Sequence, residues 1–273
     1  MKTALYYLLL LLFLIPATLF AGGDIFPLSA RNAGMCRSSV ALTGFWNIHN
    51  NQAGLATLER PTVGISYESK FSLSKLSNKT AAFAYPTNFG VLGVDFNHFG
   101  YSQYSEMKIG LVYARAFGKY IRIGLQLDYL QTTLGDGYGS KSNATFELGV
   151  QSDITEEITL GAYVFNPIRV KLSDYADERI PAIFRFGLTW HFSDSFLATA
   201  EAEKSSFYPK VIIRGGLEYN LKKKFIFRTG FSSGEEVFAF GFGLNLKGVR
   251  LDLSAVMHQT LGFTPQASLS YSF

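Results

Sequence analysis

Charge is what this chain has little of. Lys, Arg, Asp and Glu make up 17% of 273 residues, with a formal net charge of +4, against roughly a quarter in an average soluble domain. Disordered chains combine high charge with few aromatics; here aromatic residues reach 15% and hydrophobic residues 48%, which excludes that class. A lone cysteine, Cys36, rules out a disulfide framework and a cysteine-rich zinc site. Four histidines and a thinly spread net charge offer neither a metal centre nor the basic stripe that nucleic acid requires. No metal, cofactor or nucleic-acid partner is therefore expected. Beyond residue 21 there is no run of about 20 apolar residues, so helical membrane spans are excluded. What the chain has in quantity is 26 glycines, 25 phenylalanines and 15 tyrosines.

The first residues speak to compartment. Lys2 precedes a leucine-rich run from Ala4 to Ala21, with Pro16 near its end and small residues at its close. That is the pattern of a secretory signal peptide, assigned to residues 1–21.

Past that segment the apolar residues alternate. Ile121, Ile123, Leu125, Leu127 and Tyr129 share one parity, and Arg122, Gly124, Gln126 and Asp128 the other, the period of a strand with one apolar and one polar face. Phe238 to Leu246, Val249 to Met257 and Phe184 to Phe192 repeat it. Fourteen such segments fit between Pro61 and Phe273, at about 15 residues per strand and connection, the spacing of membrane strands with their turns. The connections after odd strands, such as Ser69–Asn78, Thr132–Ser142 and Asn166–Ile180, are long; those after even strands, such as Phe117-Gly118 and Lys247-Gly248, are short. This order matches a closed barrel with long outer loops and short periplasmic turns. A soluble lipocalin-like barrel or sandwich would need Lys and Glu on its solvated face, whereas the polar parity here is mostly Gly, Ala, Ser and Thr with isolated charges. The expected fold is all-β: a 14-stranded antiparallel transmembrane β-barrel over 61–273, preceded by a hatch or plug segment over 22–60.

Leu269, Tyr271 and Phe273 close the chain on one parity, which resembles the last-strand signal read by the barrel assembly machinery of bacterial outer membranes. The segment Leu28–Ala56 carries a second resemblance. Ala30, Arg31, Ala33, Gly34, Met35, Val40, Ala41, Asn51, Ala53, Gly54, Leu55 and Ala56 stand where the FadL-like superfamily, and within it the PorV/PorQ-type proteins associated with type IX secretion, have an opening Ala-Arg, Ala-Gly-Met-Gly, Val-Ala and Asn-Pro-Ala-Gly-Leu-Ala pattern. Cys36 replaces a glycine of that pattern, Thr43-Gly44 an acidic pair, and Gln52 the proline. In such proteins this segment is a hatch inside the barrel. Without the proline, the bend at Asn51 must be held in some other way.

The resemblance implies a non-enzymatic accessory of protein secretion or surface attachment in the outer membrane, with secretion-system or cargo proteins as partners beside outer-membrane lipid and the assembly machinery. A FadL-like passive channel for hydrophobic small molecules, whose ligand passes beside the plug and out through a gap in the wall, and a purely structural envelope barrel are the alternatives. Two constellations call for inspection as catalytic sites, His98 with Asp95 and His258 with Ser254 and Asp252, but the same parity supplies polar lumen residues on every strand, so no enzyme is expected. Thirteen charges fall on the lumen parity: Asp95, Lys108, Arg122, Asp128, Glu147, Arg185, Glu201, Glu203, Arg214, Glu218, Arg228, Arg250 and Asp252. Six are basic and seven acidic, so the reading is that they pair across the lumen and hold the hatch rather than select ions.

Overall fold

The computed structural model describes residues 29–135, 139–171 and 179–273. The expected signal peptide, the first part of the hatch at 22–28 and the loop positions 136–138 and 172–178 lie outside the described residues.

Fourteen strands follow one another along the chain: β1 Thr62–Ser69, β2 Ser77–Thr87, β3 Gly90–Tyr101, β4 Tyr104–Phe117, β5 Ile121–Leu134, β6 Gly139–Asp153, β7 Ile158–Phe165, β8 Ile183–Ser193, β9 Phe196–Ser205, β10 Ile212–Leu221, β11 Phe225–Ser232, β12 Glu236–Leu246, β13 Val249–His258 and β14 Gly262–Ser272. Each pairs antiparallel with its neighbours in sequence, and β14 pairs back onto β1, from Thr62 opposite Ser272 to Glu68 opposite Gln266. Closure leaves no free edge, so every strand has a partner on both sides, which is what a sheet in lipid requires. The seam is fastened by the backbone N–H of Phe273 donating to the carbonyl of Pro61 at 3.0 Å.

Alternation sets the two faces. Along β5 the residues from Ile121 to Leu130 alternate exposed and buried, with Ile123, Leu125 and Leu127 outward and Arg122, Gln126 and Asp128 inward. Leu111, Phe186 and Phe240 are each about 60% exposed on the outer wall. An apolar belt of this extent would aggregate in water and is at home against acyl chains. Tyr113 and Trp190 sit near strand ends in that belt, Trp190 stacked on Phe192 at 4.2 Å, as expected of an interfacial girdle.

One end carries the longer connections. The connection between β7 and β8 runs over 166–182 and that between β1 and β2 over 70–76, whereas β4 and β5 are joined by 118–120 and β12 and β13 by 247–248. Two connections depart from the expected order: β3 runs on to Tyr101, opposite Tyr104, leaving only Ser102 and Gln103 before β4, and β5 and β6 pair as far as Leu134 opposite Gly139, so the loop expected over Thr132–Ser142 shortens to 135–138. Short turns mark the periplasmic side of outer-membrane barrels, so the two ends are called here the loop end and the turn end.

Candidate functional site

Residues 29–60 fill the lumen. Helix α1, Ala30–Ala33, is capped by the Ser29 hydroxyl, which accepts from the Asn32 N–H. It is followed by 3-10 turns at Phe45–His49 and Gln52–Thr57. These pieces are nearly all buried, and they meet the inward face of the wall where that face has no side chain. A Cβ on Gly149 would lie 2.0 Å from Asn51 Oδ1, and one on Gly124 2.3 Å from the Ala53 nitrogen. Inward glycines are thus the imprint of the hatch on the barrel.

The expected hatch residues all lie in this contact. Ala33 packs with Cys36, Ala239 and Val256; Met35 packs with Leu42 and Leu197; Leu55 joins Phe45, Trp46 and Ile48 against Ala82, Ala84, Val91, Val112 and Ala114. Gly34 approaches the Gly241 backbone, and any side chain on Gly54 would strike Asn47 and the Leu42 carbonyl. Asn51 holds the bend: its amide donates to the Val40 carbonyl at 2.7 Å, and its Oδ1 accepts from the Ala53 N–H. Asn51 is extended, at φ −154° and ψ 100°, and Gln52 opens the turn. The backbone therefore keeps a proline-compatible path, and the side chain of Gln52 does something proline cannot. Its amide donates to Gln126 Oε1 at 2.9 Å and to the Glu147 carboxylate.

Glu147 is the hub of one lumen cluster, accepting from Lys108 at 2.7 Å and from the Tyr163 hydroxyl at 2.9 Å. Asp95, on the neighbouring strand β3, pairs with His49 of the hatch at 3.3 Å. Across the lumen, Arg31 forms a two-pronged pair with Glu218, which also accepts from Arg228. Arg37 pairs with Glu236 at 2.9 Å. Glu201 receives the Ser39 and Val40 N–H groups at 2.7 and 2.8 Å. Each of the thirteen expected lumen charges has an oppositely charged or ionisable partner. Sequence reasoning located those wall charges but missed their hatch partners Arg31, Arg37, His49 and Gln52.

Cys36 and Arg37 sit at φ 49° and 65°, left-handed backbone that favours glycine. This accounts for the glycine that Cys36 replaces in the resembling pattern. Burial pushes the Cys36 thiol up to about 12.

Neither catalytic constellation is assembled. Asp95 is fully buried inward, while His98, three positions along β3, falls on the opposite parity. His258 accepts from the Thr260 and Leu261 N–H groups and faces Glu235, and Asp252 is engaged by Arg228 and Arg250. Leu269, Tyr271 and Phe273 point outward, between 42% and 62% exposed, with Tyr271 and Phe273 in edge contact.

Above the hatch, the described part of the loop after β7, residues 166–171 and 179–182, lies over one side of the lumen. Asn166 ties it down by donating to the Ile180 carbonyl at 2.8 Å and accepting from the Thr145 hydroxyl. Ile180 thereby packs onto Val40, Leu130, Tyr163, Phe165 and Ile183. On the other side a vestibule of about 620 Å³ stays open, with Arg37, Arg185, Glu203 and Arg214 among its lining residues and Phe71, Tyr208 and His258 towards its rim. All fourteen neighbouring strand pairs, β14 with β1 included, are hydrogen-bonded, with β6 joined to β7 from Glu147 to Asp153.

No family model matches this chain, and no curated protein matches it in sequence. Solved structures do match. The toluene transporter TbuX of Ralstonia pickettii superposes with a TM-score of 0.68 at 13% identity over 92% of this chain and 99% of its own. The toluene transporter TodX of Pseudomonas putida gives 0.71 at 11% identity over 92% and 99%, and a FadL homologue of Pseudomonas aeruginosa 0.67 at 10% over 92% and 100%. The chain has the fold of these barrels. The finer likeness to PorV/PorQ-type proteins rests on sequence resemblance alone, in the hatch residues and in the tail with His258, Leu261, Gly262 and Thr264.

Proposed function

We propose that this protein is an outer-membrane barrel that passively admits small hydrophobic molecules, with the vestibule as entrance and the hatch as gate. The observation that carries this reading is the 620 Å³ vestibule itself. It is of ligand-pocket size, has Phe71 and Tyr208 in its lining, and ends on Arg37 of the hatch. The match to barrels described as toluene transporters supports the same substrate class. The hydrogen-bonded closure of all fourteen strands favours passage past the hatch over a sideways exit. The test is accumulation of labelled toluene and of a labelled long-chain fatty acid by intact cells stripped of their own hydrophobic channels. Expression should raise uptake of at least one, and Ser205→Trp, which fills the vestibule, should abolish the gain. Uptake of both at the empty-vector level would refute the reading.

A second reading, a PorV/PorQ-like accessory of protein secretion or surface attachment, is favoured by the hatch residues from Ala30 to Ala56 and by a lumen bolted shut. Its partners would be secretion-system or cargo proteins, in addition to the assembly machinery and outer-membrane lipid that any such barrel meets. Deleting 166–180 should then cost a co-purifying protein partner while the barrel still folds; an unchanged set of partners would sink it.

A further inference from the structure

The outer wall carries a second cavity. A groove of about 560 Å³ runs over β6 to β9 in the half of the wall nearer the loop end, lined on the outward parity by Leu148, Val150, Ala162, Val164, Phe184, Phe186 and Ala202. Register explains it. Val150, Ala162, Phe186 and Ala202 stand opposite one another across four strands, so two alanines flank one phenylalanine and leave a trough beside its ring.

At the loop end of this groove stands Lys204. Along β9 the outward parity reads Phe196, Ala198, Ala200, Ala202 and then Lys204, so a charge follows a row of small apolar residues on the face turned to lipid. Such a charge is costly in a manner that grows with depth, and an ionisable residue kept there calls for a partner. The chain answers in part. The connection after β9 brings the carbonyls of Tyr208 and Pro209 within 2.7 Å of the Lys204 ammonium, which fixes it at the head of the groove. An ammonium has three donors, and two are thus engaged. Among the described residues the third donor has no partner, so one donor and the full positive charge remain above an apolar trough.

We propose that this groove binds one phosphorylated glycolipid of the outer leaflet, with an acyl chain along Phe184 and Phe186 and a phosphate on Lys204. Charge complementarity selects the headgroup: a fixed cation with a spare donor suits a phosphate oxygen. The position near the loop end selects the leaflet, a step that rests on the orientation taken above; the binding itself does not depend on transport.

The test uses the purified full-length barrel in detergent, mixed with a bisphosphorylated glucosamine disaccharide lipid, with its dephosphorylated form and with phosphatidylglycerol, and read by native mass spectrometry. The barrel should retain one molecule of the phosphorylated glycolipid. Removing the phosphates, or Lys204→Gln, should lower retention about tenfold, the worth of one charge-assisted hydrogen bond. Ala202→Trp should abolish it while heat-modifiable mobility shows an intact barrel. Unchanged retention in folded Lys204→Gln or Ala202→Trp would overturn the site, and equal retention of phosphatidylglycerol would overturn the choice of glycolipid.

Discussion

Restoring the motif proline by Gln52→Pro separates the path of the hatch backbone from the contacts that bolt it. The backbone is prepared for it: Asn51 is extended and Gln52 is the first residue of its turn, where an N–H is unpaired in any case. On that account alone proline should stabilise by about 0.4–1 kcal/mol through the unfolded state. Against this stands the loss of the buried amide. Glu147 loses one of its donors and Gln126 Oε1 loses its partner, at about 1.5–3 kcal/mol for the charged acceptor and about 1 kcal/mol for the neutral one. The side-chain effect wins, and the variant should be less stable by about 1.5–3.5 kcal/mol. Trp46, packed over Gly64, reports on the hatch once the lipid-facing Trp190 is changed to Phe, so thermal unfolding followed by tryptophan emission is the assay. Gln52→Glu, which sets a second carboxylate against Glu147, should be worse than proline. A proline variant as stable as the parent would refute the assignment of Gln52 as an anchor.

Gly149→Val should displace the hatch, because the added carbon would overlap Asn51 Oδ1; planar-bilayer recordings should show conductance in the variant and none in the parent. Cysteine at Lys75, exposed at the loop end, should be labelled by an impermeant maleimide on whole cells, and cysteine at Lys223 in a turn should not; the reverse pattern would invert the orientation. Native Cys36 should stay silent in both, since burial raises its thiol to about 12 and leaves a thiolate fraction on the order of 10⁻⁵ at pH 7. Phe273→Asp should lower the amount of heat-modifiable barrel, although the folded-state cost near an interface is only about 0–1 kcal/mol; normal levels would argue against a terminal assembly signal.

The wall was legible because a period of two leaves its mark on every strand, and the burial of Arg122, Gln126 and Asp128 beneath Ile123, Leu125 and Leu127 follows from it directly. The connection between β3 and β4 was not, because nothing at Gly100 to Tyr104 signals that pairing will run on to Tyr101 and Tyr104. The hatch residues were legible only through resemblance. Their bolts were hidden for a simple reason: Arg31 and Glu218 are 187 positions apart, Arg37 and Glu236 199, and no local pattern links such pairs. Gln52, met first as a missing proline, proves to be a gained contact. That sign can be read only when the facing Glu147 is in view.

The bolts also constrain how any gate could work. Arg31 on Glu218, Arg37 on Glu236, His49 on Asp95 and Gln52 on Glu147 together hold about 6–12 kcal/mol at the usual worth of hydrogen bonds to charged groups. That is comparable with the whole stability of an ordinary domain, so expelling the entire hatch at each passage would amount to unfolding it. The vestibule, however, rests on Arg37 alone among these four. Among the described hatch residues, Arg37 and its neighbour Cys36 are the ones with left-handed non-glycine backbone, a conformation that already costs about 1–2 kcal/mol per residue. Moving that turn breaks the Arg37 pairs with Glu236 and Glu68, releases strain and leaves Asn51, Gln52 and Arg31 in place. Arg37→Ala should therefore raise uptake of a hydrophobic probe through the vestibule with little change in the thermal stability of the barrel. An equal gain from Arg31→Ala, which faces no part of the vestibule lining, would show instead that the hatch moves as one body.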